Sequence, residues 1–297
     1  MKYFYYFFRE IKNTFEFYLI PFAALILPHR VYFLLFKFIC KYTSFYRKYA
    51  HDSYLAAESV LKHNKKKKTW DCHVKLLYLT DITDFWLAKY RPKKLLKLLK
   101  HDGNWMTSQG HLALSIHYGA GYVTLLDLKQ HNLTPYFVFS IPQVDFKFQS
   151  KVENFYRKAR IKHINSISGS MAISTGGGYD KVKTVVKNNG VPIILFDAPQ
   201  INKKTQYNLY VFGKKYKVAS GFVSLICKEK INYQLYNVKL NFDTGTRNIK
   251  INTIKSTEDE IELLSELSKY FENIITESPE QWFFWRQSSN LFIHTTS

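Results

Sequence analysis

The chain reads as an α/β protein: a mostly parallel central sheet flanked by helices, with an amino-terminal hydrophobic helical anchor. Three observations predict this. After about residue 104, apolar runs of strand length alternate with charged segments of helical period, as in a parallel sheet with crossover helices. The first forty residues are the most apolar part of the chain. Hydrophobic residues make up 46% of the 297 positions and aromatic residues 17%, which excludes a disordered chain and provides for a large core. The expected division is residues 1–45 as a membrane-associated helical segment and 46–297 as the α/β domain.

The amino-terminal segment contains two apolar runs. Phe15 to Leu27 (FEFYLIPFAALIL) is broken by Pro21 and ends at Pro28-His29-Arg30; Val31 to Cys40 is interrupted by Lys37. Neither reaches the roughly 18–20 residues needed to span a bilayer. Glu10, Glu16 and the lack of a small-residue cleavage site argue against a signal peptide. Flanking Tyr, Phe, Lys and Arg suit helices lying in the membrane interface; a buried helix pair is the alternative. Lys65 to Lys68 reads as a solvated loop. Arg91 to Lys100 reads as a basic amphipathic helix with Lys93, Lys94, Lys97 and Lys100 on one face and leucines opposite. Such a helix suits anionic lipid, at about 1 kcal/mol per lysine, or an ordinary solvated surface.

Further along, His111 to Ile116 (HLALSI) predicts a buried strand, His117 to Gly121 a turn, and Tyr122 to Gln130 a helix. Thr134 to Ser140 predicts a second strand and Phe146 to Ile161 a charged helix. Tyr179 to Asn189 predicts a helix stopped by Gly190, and Val191 to Phe196 a third strand ending at Asp197. Val218 to Lys230 predicts a helix, and Tyr233 to Phe242 and Asn248 to Ile254 two more strands. Thr257-Glu258-Asp259-Glu260 resembles a capping box opening a helix with Ile261, Leu264, Leu267, Phe271 and Ile274 on its apolar face.

Forty-three Lys and Arg against 23 Asp and Glu give a net charge of +20. An anionic partner follows: nucleic acid, an acidic carrier or an anionic membrane. No nucleic-acid-binding motif accompanies the charge, so no nucleic-acid partner is expected. Three cysteines without a CxxC spacing exclude a disulfide scaffold and a cysteine zinc site. The ten histidines show no HExxH and no paired spacing, so neither metal nor cofactor is expected. Ser174 to Gly178 is Gly-rich but lacks the Lys-Ser/Thr of a phosphate-binding loop.

In α/β folds chemistry gathers at the carboxyl ends of strands. His117, the loop after Ser140 and Asp197 fall there. A histidine can accept a proton from an attacking hydroxyl near neutral pH, and the helix start after it offers backbone N–H groups to an oxyanion.

Gly110 through Tyr122 (GHLALSIHYGAGY) resembles the active-site block of the lysophospholipid acyltransferase superfamily, and within it most closely the lipid A late acyltransferases. Four further blocks match in the same order. They are Leu27-Pro28 with Val31-Tyr32; Lys187 to Gly190 through Ile194 to Gln200; Val211-Phe212-Gly213 with Ala219-Ser220-Gly221; and Ser278 to Trp285. The resemblance spans nearly the whole chain.

It implies acyl transfer from a thioester on acyl carrier protein or coenzyme A to a hydroxyl or amine of a lipid or glycolipid. It further implies a peripheral place on the cytoplasmic face of the bacterial inner membrane. His117 would be the general base, Asp197 a supporting residue, Gly119 part of the substrate-binding turn, and Arg157 or Arg160 the phosphate or oxyanion contact. The Pro279-Glu280-Gln281-Trp282 signature would be packing beside the site. One position departs from the pattern: Tyr122 stands where the family has the acid that orients the histidine. A tyrosine supplies no negative charge near neutral pH. Either Asp127 or Asp197 takes that part, or the chemistry differs, with an aminoacyl donor or an inactive lipid-binding scaffold as the alternatives. Asp127, two turns along the predicted helix, is the poorer geometric substitute.

Overall fold

A computed structural model of the chain describes residues 2–61, 63, 65–139, 150–168, 173–174, 178–198 and 206–293. The loop after Ser140, Thr175 to Gly177 and Pro199-Gln200 lie outside the described residues.

Helical structure opens the chain: α1 (Lys2–Thr14), a π-helical turn (Phe15–Leu19), α2 (Ile20–Ile26), α3 (His29–Tyr42), α4 (Arg47–Val60), the 24-residue α5 (Lys67–Tyr90) and the short α6 (Pro92–Leu96). The chain then alternates β1 (Leu99–Asp102), β2 (Leu112–Ser115), α7 (Thr124–Gln130), β3 (Thr134–Phe139), α8 (Lys151–Ile167), β4 (Ile173–Ser174), α9 (Gly178–Lys187) and β5 (Gly190–Leu195). A hairpin of β6 (Gln206–Val211) and β7 (Lys214–Ala219) precedes α10 (Ser220–Cys227), β8 (Tyr233–Leu240), β9 (Arg247–Ile251) and α11 (Glu260–Glu277). The described chain closes on α12 (Ser288–Leu291) and β10 (Phe292–Ile293).

Seven strands form the central sheet in the order β1-β9-β8-β2-β5-β3-β4. Every pairing is parallel except β8 with β9. The expected α/β class with a mostly parallel sheet is therefore observed. β2 is buried at all four positions, as its unbroken apolar run requires of a strand covered on both faces. A second, antiparallel sheet has the order β10-β7-β6.

α2 and α3 lie against α5. Ala24, Tyr32, Phe33, Phe36 and Cys40 are buried there with Leu76, Leu77, Phe85 and Trp86. The opposite face of α3 is also apolar: Val31, Leu34, Leu35, Phe38 and Tyr42 are exposed, Leu34 and Phe38 by more than 60%. Phe7, Phe8, Ile11, Phe15, Leu19, Phe22 and Ile26 of the preceding helical segments are exposed as well. Among the described residues no helix is long and apolar enough to cross a membrane.

The structure corrects several expectations. Arg91 to Lys100 is not one amphipathic helix. It ends after one turn, and Leu99 to Asp102 join the sheet beside β9. Lys94 is not free for lipid either: its ammonium donates to the carbonyls of Ala24 and Leu27 (2.7 and 2.5 Å), capping α2 where its last carbonyls lack partners. Lys65 of the basic run reaches the Glu280 carboxylate at 2.5 Å, and Lys67 opens α5. The stop after α9 is made by Asn189 at φ 59°, while Gly190 begins β5. The α11 cap is Asp259, whose Oδ1 accepts from Ile261 and Glu262 N–H (2.7 and 3.2 Å). Val218 belongs to a strand, not a helix. The charged helix begins at Lys151, capped by Ser150 and by the Glu10 carboxylate, which accepts from the Lys151 and Val152 amides at 3.0 Å.

Candidate active site

β2 and β5 are parallel neighbours, with Ser115 opposite Leu195. His117 and Asp197 each lie two residues beyond that pair, and side chains two apart on an extended chain share a face. This register brings them together: His117 Nδ1 is 2.7 Å from Asp197 Oδ1. A carboxylate only accepts, so Nδ1 carries the proton and donates it, leaving Nε2 as the free ring nitrogen. Asp197 is fully buried, where an isolated charge is costly unless hydrogen-bonded. Its oxygens also accept from the His117 amide (2.9 Å to each) and from the Trp282 indole N–H (2.8 Å to Oδ2). The Tyr216 hydroxyl donates to its carbonyl at 2.6 Å. Phe284 lies against the His117 ring, with centroids 4.4 Å apart.

The turn after His117 is knit to the carboxyl-terminal segment. Gly119 N–H donates to the Gln281 carbonyl at 3.0 Å, Ala120 N–H to the Val238 carbonyl at 2.9 Å, and Phe283 N–H to the His117 carbonyl at 3.0 Å. Gly119 has φ 61°, and a Cβ there would sit 1.8 Å from the Val238 carbonyl oxygen. The amides of His117, Tyr118, Gly119 and Ala120 are thus all used inside the protein. Those four are not available to an oxyanion, which corrects the expectation for the first part of the turn.

A cavity of about 260 Å³ opens at this point. His117, Tyr118, Gly119, Tyr122, Asp81 and Arg160 line it with a mainly apolar remainder that includes Leu125, Phe137, Ile164 and Leu195. Arg160 is held bidentately by Asp81 (2.6 and 2.9 Å) and stands over the Tyr122 ring, 4.7 Å from its centroid.

Burial pushes the Tyr122 hydroxyl well above the ordinary tyrosine range, so it stays protonated. It pairs with His163 Nδ1 at 2.8 Å rather than with His117. Burial, with Lys89 and Lys129 nearby, pushes His163 down to about 4, so its neutral ring accepts that bond.

His117, Asp197, Gly119, Tyr122 and Arg160 therefore meet at one place. Arg157 does not: it pairs with Glu153 one turn away on α8 (2.7 Å) and lies outside the cavity lining. Of the two arginines Arg160 lines the cavity, because α8 turns that side chain inward to Asp81. Asp127 is engaged elsewhere, accepting from the Trp105 indole at 2.7 Å. The Trp282 contact to the carboxylate was missed because the Pro-Glu-Gln-Trp signature read as packing. Asp81 and His163 carried no motif.

No protein-family model and no curated protein sequence matches the chain. Among solved structures, the chain is similar to the 1-acyl-sn-glycerophosphate acyltransferase PlsC from Thermotoga maritima, with 13% sequence identity and a TM-score of 0.38 over 86% of this chain and 99% of that one.

Proposed function

We propose that the protein is a membrane-associated acyltransferase. In this reading it moves an acyl or aminoacyl group from a thioester, carried by acyl carrier protein or coenzyme A, to a hydroxyl or amine of a lipid or glycolipid of the lipid A type. The observation that carries the reading is the 2.7 Å contact between His117 Nδ1 and Asp197 Oδ1 at the mouth of an apolar cavity. It supplies the oriented base that Tyr122 cannot, and it weighs against the inactive scaffold.

His117 Nε2 takes the proton of the acceptor hydroxyl as its oxygen attacks the thioester carbonyl carbon. Asp197 holds the ring and offsets the positive charge that forms on it. Collapse of the tetrahedral intermediate breaks the C–S bond, and the imidazolium proton passes to the departing thiolate. The apolar wall at Leu125, Phe137, Ile164 and Leu195 suits a hydrocarbon chain. Arg160, neutralised by Asp81, serves as a donor to a phosphate or carbonyl oxygen.

The many exposed apolar side chains between Phe7 and Tyr42 support a peripheral place on an anionic membrane surface. We assign the cytoplasmic face of the bacterial inner membrane, where donor and acceptor would meet. The +20 charge suits both the lipid surface and an acidic donor.

The test is transfer of labelled acyl groups from acyl carrier protein or coenzyme A to lysophospholipid and lipid A-type acceptors in vesicles. The wild type should form product. His117→Ala should lose about 10²–10⁴-fold, the usual worth of a positioned base. Undiminished product from that variant would sink the reading.

A further inference from the structure

We propose that His101, Asp127 and His131 form a zinc site that clamps α7 to the edge strand β1. Asp127 lies on α7 and His131 is the residue that caps its carboxyl end one turn on, so their side chains fall on one side. β1 brings His101 to that face. The Asp127 Oδ1 atom is 3.1 Å from His101 Nε2 and 3.8 Å from His131 Nε2. All three ligand atoms lie within 4.8 Å of one another. A tetrahedral zinc with ligands about 2.0–2.1 Å away sets its ligand atoms roughly 3.3 Å apart, so the two measured spacings already suit the ion. Both rings are about a third exposed (36% each) and can close the remaining distance by rotation.

Two details separate this from a plain ion pair. The first is that Oδ1 is buried and takes no hydrogen bond: neither imidazole directs an N–H at it, although both nitrogens stand close. A buried carboxylate oxygen in that state is costly, and a cation between the three donors relieves it. The second is that the other oxygen, Oδ2, is fixed by the Trp105 indole N–H at 2.7 Å. Trp105 is itself buried. An outer hydrogen bond of this kind aims a metal-ligating carboxylate. Two imidazoles and one carboxylate suit zinc or a neighbouring first-row divalent ion rather than magnesium or calcium, and solvent supplies the fourth ligand. In the sequence the ligands read as His101 followed, 26 residues on, by Asp127-x-x-x-His131, a spacing that no local zinc motif contains. The site lies on the helix that follows the His117 turn and uses none of the catalytic residues proposed above.

The full-length protein, stripped with a chelator, should be titrated with zinc chloride by calorimetry and with cobalt(II) by visible absorption. The wild type should bind one ion per chain, show the intense absorption of four-coordinate cobalt, and melt higher with zinc than with chelator. The His101→Gln/His131→Gln double variant should lose both binding and the zinc-dependent rise in melting temperature. Trp105→Phe, which leaves all three ligands, should weaken binding about 10–100-fold. Chelator-treated melting of the double variant close to that of the wild type shows that its loss of binding is not loss of fold. Trp105→Phe, which takes a donor from buried Asp127, should melt lower even with chelator and is judged by its binding constant at a temperature where it is folded. Absence of stoichiometric binding by the wild type overturns the proposal, as does equal binding by the double variant.

Discussion

The indole N–H of Trp282 stands 2.8 Å from Asp197 Oδ2, so the carboxylate that holds His117 is itself held by a residue 85 positions further on. Trp282 is buried among Tyr216, Phe271 and Phe292, which fixes the direction of its N–H. Trp282→Phe keeps most of the ring volume and removes the donor. A buried charged acceptor losing a bond costs about 1–3 kcal/mol, so urea unfolding should show a loss of that size. Acyl transfer should fall by about tenfold, the equivalent of 1.4 kcal/mol in the barrier, through a freer Asp197. Unchanged stability and unchanged transfer would show that the bond positions nothing.

Gly119→Ala tests the tight turn. The added Cβ meets the Val238 carbonyl oxygen at 1.8 Å, and the residue sits at φ 61°. The backbone must move, and with it the hydrogen bonds of Gly119 and Ala120. A loss of more than about 2 kcal/mol is expected, from strain plus broken bonds. The same variant should lose transfer even below its melting temperature, because the turn carries His117. A melting curve superimposable on the wild type would contradict this.

Much of the fold was legible because β2 and β5 are apolar runs bounded by turn residues, the second half of β8 alternates Tyr236, Val238 and Leu240 with polar residues, and α11 has a clean helical period. The site was half legible. His117 and Asp197 could each be placed at a strand end, but their contact depends on β2 and β5 being sheet neighbours in one register, which no local pattern states. Asp127 was the rival only by closeness in the chain. The β6–β7 hairpin escaped notice although its signal was present. Leu209 and Val211, then Tyr216 and Val218, alternate inward around Phe212-Gly213, whose positive φ angles of 52° and 70° fit a two-residue hairpin turn. The lysines of 93–100 read as a helical face because period alone ignores the parallel partner, β9, that captures Leu99 to Asp102.

The exposed row on α3 makes the membrane expectation testable without truncation. Deleting residues 1–40 would uncover the α5 surface that Tyr32 and Phe36 bury, so loss of binding by that form would be uninformative. Leu34→Ser and Phe38→Ser change only the outward face. Burying each side chain is worth about 1.5–3 kcal/mol, so the double variant should bind anionic vesicles at least about tenfold more weakly with little change in melting temperature. Equal sedimentation with vesicles would count against this face as the contact.

Acid stability follows from buried His111 and half-buried His163. His163 is held down to about 4 by burial, Lys89 and Lys129, and His111 to about 4 by burial, against 6.5 for the ordinary ring. Between about pH 6.5 and 4 the unfolded chain binds the protons that the folded protein refuses. Stability is therefore complete above that window and falls as the pH drops through it. The loss is on the order of 1–3 kcal/mol per group, nearer the lower end for partly solvated His163. His163→Gln should flatten the decline in denaturation midpoint between pH 6.5 and 4. A decline as steep as the wild type's would contradict the assignment.

The most direct measurement is acyl transfer by Asp197→Asn beside Tyr122→Phe, with circular dichroism to confirm that both fold. Asparagine preserves size but can present an N–H to His117 and favour the wrong tautomer. With Asp197 as the orienting acid, the asparagine variant should lose on the order of 10³–10⁴-fold, as comparable triads do. Tyr122→Phe, whose hydroxyl serves His163, should stay within about tenfold of the wild type. Wild-type transfer by Asp197→Asn, or an equal collapse in Tyr122→Phe, would show that Asp197 does not orient the base.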